Sequence, residues 1–388
     1  MTNNIIIMTE KKIVIGLFMI ALITAVIFSA GCVNDVNNGG NHDGTITITD
    51  AAGREVIVPD NPQKIAVSGS GSSRYFAWLQ VTDKLVAVDY LDSYQYVSKS
   101  ESRPYMIANP EIKNHAALGA AKGVVDAEKL MSANPDILFM AGYSDTAIQN
   151  ANEITEKTGI PVILFYSGDY VTNTAKVENS LRLIAKILHA EERAEAVIKY
   201  FKDTREDLES RVAGISDDSK PTVYVGGISH SGSHGITSSS KSYYEFTVLH
   251  AKNVAGSVST TTSSGYADVS KEQILAWDPE IIFVDLSTMN AAGGGAIYEL
   301  KTDPSYQELK AVKTGQIYAV NPHTSMGTNH ETCMANAYYI GKVLYPKQFA
   351  DIDPEKKADE IYTFIDGTLV YQQLKANKNG LSYQKIKL

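Results

Sequence analysis

Short apolar bursts recur along the chain, at 64–67, 85–88, 137–140, 162–165, 223–225, 281–284 and 317–320. Stretches with helical periodicity separate most of them, so the rhythm is strand then helix, which predicts α/β architecture with mainly parallel sheets covered on both faces. Ahead of them, Ile46, Ile48, Val56 and Val58 alternate with other residues around Gly53 and stop at Pro59, predicting a short hairpin. The middle of the chain breaks the rhythm. Val177, Leu181, Ile184 and Leu188 make one helical stripe, and Ala194, Val197, Ile198, Phe201, Leu208 and Val212 make a second. This strandless stretch predicts a helical connector over 171–213, between an N-terminal lobe at 46–170 and a C-terminal lobe at 214–388. Residues 191–212 alone span about 33 Å as a helix, at 1.5 Å per residue.

The two lobes share a unit. Residues 126–140 align without gaps against 270–284, each with an N-capping residue (Asp126, Ser270), a Glu in the first helical turn (Glu128, Glu272) and a Pro that stops the helix before a buried strand (Pro135, Pro279). Ser270 with Gln273 adds a capping box. Thr158-Gly159 and Thr314-Gly315 repeat more weakly, each ahead of a strand. Stabilisation of the helix dipole accounts for either Glu alone. Their matched placement in two lobes points to docking on a two-fold partner with basic residues.

The N-terminus carries Lys11-Lys12, an apolar run over 13–28 broken only by Gly16 and Thr24, and then Ser29-Ala30-Gly31-Cys32. This is the layout of a signal peptide over 1–31. The run is about 16 residues, short of the roughly 20 that a span requires. Its end resembles a lipobox, with Ser29 where Leu is usual, and that makes Cys32 the lipid-attachment residue. An uncleaved signal anchor is the alternative, and either way the remainder lies outside the cell. Residues 32–45 are polar and glycine-rich, a flexible tether. Cys333 is the one other cysteine, so no intramolecular disulfide is expected beside a lipidated Cys32. The net charge of −9 becomes −10 without 1–31, which holds two lysines and one acid; no basic face for nucleic acid is expected.

Candidate chemistry clusters after the strands. In the turn following 64–67, Ser70, Ser72 and Arg74 precede an apolar helix, so backbone N–H groups and a guanidinium can receive an anion; an ordinary serine-capped turn is the bland alternative. No Walker A motif is present. The loop over 226–244 supplies His230 and His234 as candidate metal ligands and a serine run including Ser239 that would open a helix toward an oxyanion. His323 and His330 follow the strand at 317–320, where sheet carboxyl ends open into a crevice. Tyr90 and Tyr94 follow the strand at 85–88, and Tyr266 precedes the second repeat. Tyr outnumbers Phe, 22 to 10, which favours half-wet binding walls. His330-Glu331-Thr332-Cys333-Met334 misses the zincin pattern at its fifth position, and neither a nucleophile elbow nor a Cys-x-x-Cys pair is present, so no enzyme is expected.

Together, Ile48-Thr-Asp-Ala-Ala-Gly-Arg-Glu-Val-Ile-Val-Pro59, Pro62-Gln-Lys-Ile-Ala-Val67, the Glu-x6-Pro-Asp/Glu units at Glu128 and Glu272, the connector, and Val312-Lys-Thr-Gly-Gln-Ile-Tyr318 resemble the iron-complex and vitamin B12 class of ABC-importer binding proteins. The resemblance runs from about 45 to 371. It implies two Rossmann-like lobes joined by a rigid helix, a cleft at the strand carboxyl ends, modest closure, and Glu128 and Glu272 as the acids that meet basic residues on the permease halves. The class takes diverse cargo, including molybdate or tungstate in some members. The leading expectation is a monomer, anchored to the outer face of the cell membrane, that captures an iron complex (siderophore, haem or corrinoid) and delivers it to a permease with its ATPase, with no permanently bound cofactor. The second is an oxyanion binder of the same importer class. The third is a secreted metallohydrolase built on His230, His234 and His323.

Overall fold

A computed structural model describes residues 40–41, 44–96, 101–230, 232, 234–260, 265–289 and 294–388. The predicted signal peptide over 1–31, Cys32 and most of the predicted tether lie outside them. The predicted hairpin pairs β2 (Thr45–Thr49) with β3 (Glu55–Pro59), Ile48 facing Val56, and β1 (Gly40–Asn41) extends its edge. Gly53 turns the chain at φ +80°, where a side chain would be strained. Asp50 ties the hairpin to the body by accepting from the Leu164 N–H at 3.1 Å.

Five parallel strands form the first sheet: β4 (Ile65–Ser68), β5 (Leu85–Val88), β6 (Ala116–Ala117), β7 (Ile137–Ala141) and β8 (Val162–Phe165), in the order β6-β5-β4-β7-β8. The second sheet contains β9 (Thr222–Gly226), β11 (Lys252–Asn253), β13 (Ile281–Asp285) and β14 (Ile317–Val320), parallel and ordered β11-β9-β13-β14. A small antiparallel ribbon joins β10 (Ser238–Ser240) to β12 (Tyr266–Asp268). All seven apolar bursts are strands. In both sheets the chain moves outward to one side of its first strand and returns on the other, and such reversals open crevices at the carboxyl ends.

Helices α1 (Ser73–Trp78), α2 (Pro104–Ala108), α3 (Ala127–Ala133) and α4 (Asp145–Thr158) accompany the first sheet. No strand separates α5 (Tyr170–Leu188) from α6 (Glu191–Val212), as the central stripes predict. Then come α7 (Tyr244–Val248), α8 (Lys271–Trp277), α9 (Gly295–Thr302), α10 (Lys310–Lys313), α11 (His330–Leu344), α12 (Pro354–Asp366) and α13 (Tyr371–Asn377). One apolar cluster runs through both halves. Phe201 of α6 is its hub, edge-on to Trp78 at 5.4 Å and to Tyr170 at 5.1 Å. Nearby, Arg193 donates from Nε to the Trp78 carbonyl at 2.7 Å and from Nη2 to the Ile365 carbonyl at 3.1 Å. The long helix is therefore a packed spine.

The repeated unit keeps its surroundings in both halves. Asp126 caps α3 by accepting from the Glu128 and Lys129 N–H groups, and Ser270 caps α8 by accepting from the Gln273 N–H. Each helix lasts seven residues and ends on a left-handed residue, Asn134 at φ 47° or Asp278 at φ 41°. The acid after each Pro then grips the strand next door: Asp136 Oδ2 accepts from the Lys64 N–H and Glu280 Oε2 from the Thr222 N–H. Strand registers match too, with Val67 opposite Phe139 and Val225 opposite Phe283. Glu128 and Glu272 are both exposed in the first turn of their helices.

Candidate functional site

The carboxyl ends of β4, β9 and β14 deliver the candidate residues. After β4 the chain turns through Gly69 and Gly71 into α1, and Arg74 emerges one residue inside that helix. Gly71 has φ +65°, and a Cβ there would lie 2.1 Å from the Met326 carbonyl oxygen, so a side chain would hold the two halves apart. Arg74 is 3% exposed. Its guanidinium lies over the Tyr105 ring, 5.2 Å from the centroid. Nη2 makes only long contacts, 3.5 Å to the Ser325 carbonyl and 3.5 Å to Asn329 Oδ1, and Nε has no hydrogen-bond partner among the described residues. A buried, under-bonded cation is costly unless an anion answers it.

Burial pushes the Glu331 and Asp366 carboxyls up, against the pull of the Arg74 charge, which acts on both. Burial, reinforced by the Arg74 charge, pulls His330 down to about 3, so it is neutral. His323 behaves oppositely: burial lowers it, but the Glu245 carboxylate outweighs burial and raises it to about 9. Its Nδ1 is 3.0 Å from Glu245 Oε2 and 3.2 Å from Cys333 Sγ, and its backbone N–H donates to Asp285 Oδ2 at 2.8 Å. His323 thus carries a charge that Glu245 already neutralises.

The two halves meet directly across this point. Thr328 Oγ1 donates to Asp169 Oδ2 at 3.3 Å, and Asn329 Nδ2 donates to the Ser102 carbonyl at 3.2 Å. Between them a cavity of about 10 Å³ is lined by Tyr170, Tyr244, Thr328, His330, Cys333 and Met334. That is room for about one water.

The remaining predicted residues are distributed unevenly. Ser70 and Ser72 lie in the turn with Arg74, where Ser72 makes no side-chain cap and α1 has only six residues. The serine run does not open a helix. Ser238–Ser240 is strand β10, paired with β12 and turned inward, Ser238 Oγ donating to the Ile228 carbonyl at 2.6 Å. Ser239 is fully buried there, and α7 starts later, without a side-chain cap. Tyr90 faces Tyr96 at 6.0 Å and Tyr94 is 67% exposed under Lys113, just past β5. Tyr266 lies between two groups: its ring stacks on His230 at 5.4 Å and stands edge-on to His323 at 6.3 Å. His230, His234 and His323 therefore share no common centre, as the metallohydrolase expectation requires; His323 lies on the far side of Tyr266, with Glu245 and Cys333. Sequence reasoning passed over Asp169, Thr328, Asn329 and Glu245. The Gly327-Thr328-Asn329 turn just past β14 was the available signal.

Residues 65–324 match a family described as periplasmic binding protein. The chain is 23% identical over 334 residues to the molybdate-binding protein MolA of Haemophilus influenzae, covering 81% of this chain and 89% of that protein. It is also 23% identical over 317 residues to the Fe(3+)-citrate-binding protein YfmC of Bacillus subtilis, covering 79% and 89%. Among solved structures, molybdate-bound MolA superposes with a TM-score of 0.63 at 20% identity, over 84% of this chain and 98% of that one, which establishes the likeness of fold. A family match over two thirds of the sequence, on two parallel sheets joined through a helical spine, makes this chain a member of the periplasmic binding protein family.

Proposed function

We propose that the chain is the extracytoplasmic substrate-binding protein of an ABC importer, closing lobes 46–170 and 214–388 about the 171–213 connector on a compact oxyanion of the molybdate or tungstate kind. The observation that carries this reading is Arg74, a buried guanidinium at the meeting of the halves whose Nε has no hydrogen-bond partner among the described residues and whose Nη2 contacts are both 3.5 Å long. Charge-assisted, bidentate hydrogen bonding to an oxyanion is the bonding such a group lacks. The likeness to the molybdate-binding protein MolA points the same way.

The sequence alone favoured an iron complex, and this stays the second reading, supported by the tyrosine walls Tyr170, Tyr244 and Tyr266 and by the ferric-citrate relative. In either case Cys32 carries the lipid anchor, Glu128 and Glu272 face the permease, and the protein acts as a monomer. Isothermal titration with molybdate, tungstate, sulfate, ferric citrate, haem and cobalamin separates the two. One-to-one heat from molybdate or tungstate is expected; heat from the iron complexes or cobalamin alone replaces the oxyanion with a chelate.

A further inference from the structure

The loop that follows β9 brings His230 and His234 against Asp268, the last residue of β12. His230 Nε2 lies 3.6 Å and His234 Nδ1 3.4 Å from the same oxygen, Asp268 Oδ1. These separations are longer than N–H···O hydrogen bonds ordinarily run. They match the edge of a tetrahedron around a divalent ion, which is roughly 3.4 Å for ligand bonds of about 2.1 Å. Two further features favour the histidines as ligands over a chance contact. His234 uses its other nitrogen, Nε2, on the His230 carbonyl at 2.7 Å, which fixes the tautomer and leaves Nδ1 with a lone pair toward Asp268. His230 Nε2 is buried and has no hydrogen-bond partner among the described residues. The two rings are stacked at 4.5 Å and 12°, and Tyr266 stacks on His230 at 5.4 Å and 3°, so one imidazole has to swing out of the stack for both lone pairs to meet on one ion.

We propose that His230, His234 and Asp268 form a binding site for one divalent transition-metal ion at the rim of the cleft, a two-histidine, one-carboxylate set with positions left for water or an outside ligand. The site stands independently of the cargo reading, since none of its ligands belongs to the Arg74 cluster. It reaches the cleft through one strand. Tyr266 and Asp268 are two apart on β12 and share a face, so an ion that clamps Asp268 to the loop also fixes the ring that lies beside His323.

The test is titration of the untagged chain with Zn²⁺, Ni²⁺ or Co²⁺ alone, in a buffer without chelators. One ion per chain is expected. Asp268→Asn and His234→Gln should each weaken binding at least about tenfold, with thermal unfolding of the metal-free variants confirming that they fold. With Co²⁺, the visible bands should show nitrogen and oxygen ligation only. A lack of saturable binding, or binding that survives both substitutions together, overturns the site. So does a thiolate-to-cobalt charge-transfer band, which would place the ion among Glu245, His323 and Cys333, a cluster that lies deeper in the molecule.

Discussion

Replacing Arg74 by Met keeps most of the apolar stem that lies against Tyr105 and removes the charge. Because the guanidinium is already short of partners in the closed protein, its loss should cost little stability and most of the anion affinity. Truncating one member of a buried charged pair costs about 2–5 kcal/mol, so molybdate affinity should fall at least about 30-fold by titration calorimetry while the melting temperature holds or rises. His323 makes a different prediction. Its pKa is about 9 in the folded protein, above the ordinary value of 6.5, so the folded state binds a proton that the unfolded chain has lost near neutrality. Its contribution is complete below pH 6.5 and disappears as pH rises through 9, an effect of up to about 3 kcal/mol. Urea unfolding between pH 6 and 10 should show that decline, and His323→Asn should flatten it. These roles were only partly legible in the chain. Arg74 was visible because it follows a strand and a run of small residues, whereas Glu245 and Asn329 matter only through neighbours 78 and 255 positions away, Glu245 against His323 and Asn329 against Arg74.

Among the elements, the repeated helix and strand was the most readable, because its determinants are local: a capping residue, an apolar stripe, a Pro and a buried run. Ser239 shows the opposite case. Serine favours both caps and turns, and the local pattern around 238–240 does not reveal that β12, some 28 positions on, supplies a strand for it to pair with. The matched, exposed positions of Glu128 and Glu272 make the docking proposal sharp. Glu128→Ala with Glu272→Ala should remove stimulation of the cognate importer's ATPase in reconstituted vesicles, with ligand affinity unchanged. Persistent stimulation in the double variant would end the docking assignment.

At the scale of the molecule, the apolar core runs without interruption from the first sheet through α6 to the C-terminal helices, and the halves touch through backbone as well as side chains. Periodicity located both sheets and the spine, but it carries no information on how far the halves close. That is decided by contacts such as Gly71 against the Met326 carbonyl. Gly71→Ala should open the molecule slightly, seen as a larger radius of gyration by small-angle scattering, and weaken cargo binding about tenfold through roughly 1–2 kcal/mol of strain and lost closure. The most direct measurement is anomalous diffraction at the molybdenum edge from crystals grown with molybdate. A single strong peak within hydrogen-bonding distance of the Arg74 guanidinium, between the 68–74 turn and the 324–330 segment, is the predicted result. A peak elsewhere, or none at saturating molybdate, contradicts the account.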